Sequence, residues 1–236
     1  MIDKTAGSLI EAVTDIPDGA TVMVGGFGEA GSPIELLHAL IDQGATNLTV
    51  VNNNTGSGEV GLAALIKADR VAKMICSYPR TANSTVFPEL YRSGRIELEL
   101  VPQGTLAERI RAGGAGIPAF YTATSVGTPL QDGKEVRRFG DREYVLEQGL
   151  TADFALIKCL RADRYGNLVY NKTARNFSPV MATAATITVV QTQALVPPGG
   201  LDPENVVTPG IFVDRVVVVS DPVYESTLVA EGVSYP

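Results

Sequence analysis

The 236-residue chain has no tryptophan, a single histidine, two cysteines and no long apolar run. Each shortage closes a route. His38 is the only imidazole and falls within a helical pattern, so a serine or cysteine triad lacks a base. Cys76 and Cys159 lie 83 positions apart in apolar surroundings, which suits buried reduced thiols and leaves no metal-ligand spacing. No metal site is expected, and there is no G-x-x-x-x-G-K-[S/T] loop for a triphosphate. Nothing approaches the eighteen or so apolar residues of a membrane span. The opening MIDKTAGSLIEAV carries acidic residues and lacks the apolar centre of a signal peptide. A reducing cytoplasm is the expected location. Positive charge is scarce as well. Nineteen Lys and Arg against 26 Asp and Glu leave a net charge of −7, which argues against nucleic acid or anionic lipid as partner.

What the chain does have is the 45% hydrophobic, 19% charged composition of an ordinary globular protein, long enough to bury a sizeable core. β-Branched runs predict strands over Thr21–Val24, Leu48–Asn52, Met74–Ser77, Ile96–Val101, Phe154–Lys158, Thr186–Gln191 and Phe212–Val219. Helical patterns occupy Pro33–Gln43, Gly61–Ala68, Val86–Ser93 and Thr105–Ala112. This βαβα alternation predicts an α/β fold: an open, largely parallel twisted sheet with helices on both faces. The glycine-rich, then polar stretch Gly113–Gly149 reads as a β-hairpin-rich insertion over the sheet, with turns at Asp132-Gly133 and Gly140-Asp141. PPGGLDP, Pro197 to Pro203, reads as a rigid loop. One domain over residues 1–219 is expected, followed by an extension, 220–236, for which the sequence offers no physical account.

Chemistry concentrates in VGGFGEAGSP, Val24 to Pro33, where Gly26, Gly28 and Gly31 follow an apolar strand in a G-x-G-x-x-G spacing. Without Cβ atoms, backbone N–H groups in such a loop can approach an anionic or carbonyl oxygen closely. A helix start is predicted directly after it, with Ser32 as N-cap, Pro33 at the first helical position and Glu35 completing a capping box. A tight turn without a ligand is the bland alternative. A dinucleotide loop would need an acidic residue about twenty positions on, for the ribose hydroxyl. The second strand instead ends in Asn52-Asn53-Asn54-Thr55-Gly56, which suits hydrogen bonding to a ligand or a turn.

GGFG-x-x-G-x-P, Gly25 to Pro33, resembles the CoA-binding signature of the A subunits of class I CoA-transferases. The resemblance continues through Asn53-Asn54-Thr55-Gly56 and through Glu99 to Thr128, and then through Gly166-Asn167-Leu168. It closes with Thr173-Ala174-Arg175-Asn176-Phe177 and Thr208 to Val213. It implies ping-pong chemistry through a glutamyl-CoA thioester, with the nucleophilic glutamate in a Ser-Glu-Asn-Gly motif on a separate B subunit. Here only Pro203-Glu204-Asn205-Val206 comes near that motif, and Glu204 reads as a surface residue. The resemblance therefore implies half an enzyme. It would work in a heterodimer or heterotetramer with that B subunit, taking CoA thioesters as substrates without a further cofactor. By the same resemblance Gln103 stabilises the oxyanion, although it could instead cap the helix near Thr105. Gly25, Gly26, Phe27, Gly28, Glu29, Ala30 and Gly31 would accommodate CoA, and Asn53 and Asn54 the substrate.

Two acceptors compete. The Ser-Tyr-Pro-Arg run, Ser77 to Arg80, followed by Ser84, is similar to the 3-oxoadipate transferases of aromatic-compound breakdown, whereas the acetoacetate enzymes carry Ser-Tyr-Val-Gly-Glu-Asn there. GGAGIPAFYTATSVGT is similar to the acetoacetate enzymes too. Arg80, with Ser84 beside it, is the expected partner for the second carboxylate of 3-oxoadipate. A dinucleotide oxidoreductase and a non-catalytic CoA-binding regulator remain the alternatives of another class.

Overall fold

In the computed structural model, which describes residues 2–81 and 83–235, β-branched runs and apolar-striped segments alternate as strand and helix. Met1 and Pro236, at the ends of segments named above, lie outside the described residues. The chain runs through α1 (Leu9–Val13), β1 (Thr21–Val24), α2 (Ile34–Gln43), β2 (Leu48–Val51), α3 (Gly61–Lys67) and β3 (Val71–Cys76). Next come α4 (Val86–Arg92), β4 (Glu97–Leu100), α5 (Gln103–Gly114), β5 (Ala119–Thr122), β6 (Val136–Phe139) and β7 (Arg142–Gln148). The last elements are β8 (Ala152–Asp163), β9 (Leu168–Val169), α6 (Ser178–Ala184), β10 (Ala185–Val196), β11 (Arg215–Val218) and α7 (Glu225–Ala230).

Eight strands form the main sheet in the order β11-β10-β8-β1-β2-β3-β4, with β9 pairing on β8. Every pair along that path is parallel; only β9 runs antiparallel. Alternation along the strands splits the core into two layers, as the pleat requires. Val22, Val24 and Val50 face α1, α2, α3 and α4, while Met23, Val51 and Ile157 face α5 and α6. Leu36, Leu37 and Leu40 of α2 are fully buried in the first layer. Each contributes about 2 kcal/mol by leaving water.

Several sequence expectations need correction. Ser32 does not cap α2: Pro33 stands at the cap with no side-chain hydrogen bond. Ser32 is buried, and Glu35 turns away from its own helix to accept from Gln191 Nε2 and from the Val223 N–H at 2.7 Å. Tertiary partners outcompete the local capping box. The strands β8 and β10 extend well past their apolar runs, to Asp163 and Val196, because their outer halves are half-exposed and tolerate Arg161 and Gln193. The predicted Phe212–Val219 strand begins only at Arg215, after a 3-10 turn over Gly210–Phe212. In the insertion, Gly113 and Gly114 close α5, and β5, β7 and β6 form a separate antiparallel sheet that packs on α5. Gly140-Asp141 turns a hairpin between β6 and β7. Asp132-Gly133 is a turn as well, closed by the Lys134 N–H donating to the Gln131 carbonyl at 3.0 Å, but it leads into β6 rather than joining two paired strands.

Candidate functional site

The carboxyl ends of β1, β2, β3 and β4 open onto one cavity of about 700 Å³, where parallel α/β sheets place their ligands. The loop after β1 supplies Phe27 and Gly28, and the end of β2 supplies Asn53 and Asn54. Ser77, Tyr78 and Thr81 follow β3, and Gln103 opens α5 after β4. Phe27 and Tyr78 are 50% and 61% exposed and form an aromatic rim at the mouth.

Gln103 is the first residue of α5 rather than its cap, and its Nε2 donates to Asn53 Oδ1 at 2.7 Å. That bond fixes both amides. One Gln103 N–H remains for the cavity, and Asn53 Nδ2 makes no hydrogen bond among the described residues. Ser77 Oγ is buried and has no partner among them either. A buried hydroxyl left this way calls for a ligand group or water. The neighbouring asparagines brace the backbone, Asn54 from within the cavity wall. Asn52 Nδ2 donates to the Val24 carbonyl at 2.7 Å, tying β2 to β1, and Asn54 Oδ1 accepts the Gly56 N–H at 2.8 Å.

The glycine loop is held from behind by Asn176, which the sequence pattern does not single out as a site residue. Its Oδ1 accepts the Gly26 N–H at 3.1 Å and its Nδ2 donates to the Ala30 carbonyl at 2.7 Å. A positive φ of 22° at Asn176 aims the amide there. The available signal is an asparagine beside Phe177 and Ser178-Pro179, since asparagine tolerates such backbone better than most residues. Gly31, at φ 78°, lies so close to the Ala174 carbonyl that a Cβ would collide with it. Gly28, at φ 58°, is different: a Cβ there meets nothing of the protein and would project into open space beside the cavity. Gly25 continues the sheet, its N–H donating to the Leu156 carbonyl at 2.9 Å. Glu29 turns away from this cavity to line a second one, of about 470 Å³, with Lys158 and Tyr224.

Of the loop candidates only Phe27 and Gly28 line this cavity, and Arg80 and Ser84 also fall outside its wall. Arg80 is exposed between the lining residues Tyr78 and Thr81, on the rim, and pairs with no carboxylate among the described residues. Ser84 Oγ donates to the Gly58 carbonyl at 2.8 Å and so braces a loop. Other titratable groups are structural. His38 Nε2 accepts the Gly61 N–H at 2.9 Å and its ring stacks on Tyr235, with burial lowering its pKa. Burial pushes the Cys76 and Cys159 thiols up to about 12, which leaves no thiolate at neutral pH. Glu204 is exposed, as expected.

Residues 7–219 match the family model described as Coenzyme A transferase. The chain belongs to this family. Among CoA-transferase relatives it is 58% identical over 219 residues to the A subunit of the 3-oxoadipate CoA-transferase of Acinetobacter baylyi, covering 93% of this chain and 96% of the relative. The Pseudomonas putida protein of the same name is also 58% identical, over 93% of this chain and 95% of its own. The A subunit of the probable succinyl-CoA:3-ketoacid coenzyme A transferase of Bacillus subtilis is 50% identical over 91% and 90%. Among solved CoA-transferases, the acyl-CoA transferase of Escherichia coli O157:H7, in a thioester complex with CoA, superposes with a TM-score of 0.83 at 26% identity. That match covers 94% of this chain but 50% of the other, so the present chain corresponds to about half of it. The glutaconate CoA-transferase of Acidaminococcus fermentans shares the fold, with a TM-score of 0.81 at 20% identity over 98% of this chain and 78% of that one. Among the described residues, no helix is long and apolar enough to cross a membrane.

Proposed function

We propose that this CoA-transferase chain is one half, the A subunit, of a two-chain enzyme moving CoA from succinyl-CoA to 3-oxoadipate. One observation carries the reading. The cavity at the strand ends presents amide and hydroxyl donors, yet the residues lining it include no carboxylate, thiol or imidazole. A site with donors to stabilise charge, but with neither a carboxylate nucleophile nor a base to activate its hydroxyls, is one that a partner completes.

The partner's glutamate, in its Ser-Glu-Asn-Gly motif, attacks the thioester carbonyl of succinyl-CoA. The C–S bond breaks, leaving a succinyl-glutamyl anhydride and CoA thiolate. The thiolate then attacks the glutamyl carbonyl, forming the glutamyl-CoA thioester and releasing succinate. 3-Oxoadipate repeats the two steps in reverse and leaves as its CoA thioester, so no proton or electron is gained or lost overall. Each attack places negative charge on a carbonyl oxygen. Gln103 Nε2 and Asn53 Nδ2, locked by their mutual hydrogen bond, are the donors for it. Fixed donors of this kind contribute about 3 kcal/mol each. Phe27 and Gly28 border the pantetheine end of CoA. No further cofactor is required, and the cytoplasm is where such thioesters would be met.

The second reading, acetoacetate as acceptor, draws on the 50% identity to the Bacillus subtilis relative. Assaying the assembled enzyme with both acceptors at saturating succinyl-CoA separates the two. A higher kcat/KM for 3-oxoadipate supports the proposal; a higher value for acetoacetate replaces it with the second reading.

A further inference from the structure

The family match ends at residue 219, yet the segment beyond it is tied down along its length. The Val223 N–H donates to Glu35 Oε1 at 2.7 Å, and the Ser226 N–H donates to Glu29 Oε2 at 2.6 Å. Val229 packs on Gly58, where an added Cβ would come within 2.5 Å of Val229 Cγ2. Further along, Ser234 Oγ donates to Glu59 Oε2 at 2.7 Å, and the Tyr235 N–H donates to the Glu59 carbonyl at 3.0 Å. Tyr235 then stacks on His38, ring centroids 3.8 Å apart.

Glu35 and His38 lie on α2, but the other anchors fall on the two loops that flank the substrate cavity. Glu29 belongs to the glycine loop that supplies Phe27 and Gly28. Gly58 and Glu59 belong to the loop that follows Asn54. That second loop is bound in turn to the segment after β3, through Thr81 Oγ1 to the Gly56 carbonyl at 2.9 Å and Ser84 Oγ to Gly58. The Glu29 carboxylate makes its hydrogen bond with the segment and none within its own loop, among the described residues. A loop with three glycines at positive φ has much freedom to lose, so outside anchors decide its shape. Asn176 is the anchor from one side. The C-terminal segment is the anchor from the other.

We propose that Pro222–Tyr235 form a positioning strap for the substrate cavity, with Glu29 the residue through which the strap holds the glycine loop ready for CoA. The proposal rests on the CoA-transferase reading of that cavity. Glu29 and the Ser226 N–H touch no reacting atom and act by placing Phe27 and Gly28.

The test uses the full chain assembled with its partner. Ser226→Pro removes the N–H that Glu29 accepts, in the first turn of α7, and also the hydroxyl, which Ser226→Ala controls for by keeping the N–H. Because proline also crowds the helical Glu225 before it, Glu29→Ala is the cleaner arm. Ser226→Pro should raise KM for succinyl-CoA by about tenfold or more, the lower end for a lost charge-assisted bond, with kcat within about twofold. Amide exchange over Gly26–Ala30 should quicken by about tenfold, while Ser226→Ala behaves as the parent in both measurements. Glu29→Ala breaks the same bond from the loop side and gives the answer if the proline variant does not fold. Unchanged loop exchange in Glu29→Ala overturns the proposal, as does a fall in kcat at constant KM. If no variant or parent transfers CoA while Glu29→Ala still loosens the loop, the strap stands and the substrate reading falls.

Discussion

Gln103 and Asn53 matter as a pair because each fixes the other's rotamer, leaving donors that need not reorganise as charge develops. Gln103→Ala should therefore lower kcat in the assembled enzyme by about 10²-fold, with KM for succinyl-CoA little changed. Steady-state kinetics check this; a change in KM alone would make Gln103 a binding residue. Gly28 makes the opposite case. Since a Cβ there meets no protein atom, Gly28→Val should keep the fold, at a backbone cost of about 1–2 kcal/mol for its φ of 58°. It should weaken CoA thioester binding, measured by titration of the assembled enzyme, and normal affinity would show the loop to be only a turn. Arg80 sits on the rim rather than in the wall, so it can reach only the far end of a bound acid. Arg80→Ala should lower kcat/KM for 3-oxoadipate by about tenfold or more, and for acetoacetate by less. Equal losses would assign Arg80 to the donor or to structure.

Among the elements, the strap carries a pH signature. Glu225, at its start, is 3% exposed, and burial, aided by the Glu29 charge, raises its pKa from the ordinary 4.5 to about 7. A hydrogen bond from Ser57 opposes the rise. The folded state thus holds a proton that the unfolded chain has released between those two values. Stability from this group falls as pH rises from about 4.5 to about 7, by a total of about 3 kcal/mol, and is level above. Urea midpoints at pH 5 and pH 8 should differ in that direction, and Glu225→Gln should shrink the difference; an unchanged slope would place the titration elsewhere. Nothing in the sequence announces this element. The strap's hold on Glu29, Glu35 and the Glu59 carbonyl comes through backbone N–H groups of Val223, Ser226 and Tyr235, which carry no residue signature. Its side-chain anchors Val229, Ser234 and Tyr235 are scattered and fall in no motif. The strand ends are legible for the opposite reason. The glycines after β1, the asparagines after β2 and Gln103 after β4 are unusual residues at the ends of apolar runs, and the parallel topology brings such ends together. The outer halves of β8 and β10 are hidden because polar residues there satisfy solvent on one face, which breaks the apolar run without ending the strand. The capping box misleads because Glu35 finds partners on β10 and on the strap.

For the molecule as a whole, the layers, the two loops and the strap converge on a cavity that has donors but neither a carboxylate nucleophile nor a base to activate a hydroxyl. The chain corresponds to about half of the Escherichia coli CoA-transferase, which fits a molecule whose other half is a second polypeptide. The most direct measurement is to purify the chain, assay it with succinyl-CoA and 3-oxoadipate, then repeat with a partner chain carrying Ser-Glu-Asn-Gly. Intact-mass spectrometry of both chains after mixing with succinyl-CoA alone belongs to the same experiment. The account predicts no transfer by the isolated chain, transfer on reconstitution, and a CoA adduct on the partner's glutamate only. Turnover by the isolated chain, or the adduct appearing on this one, would contradict it.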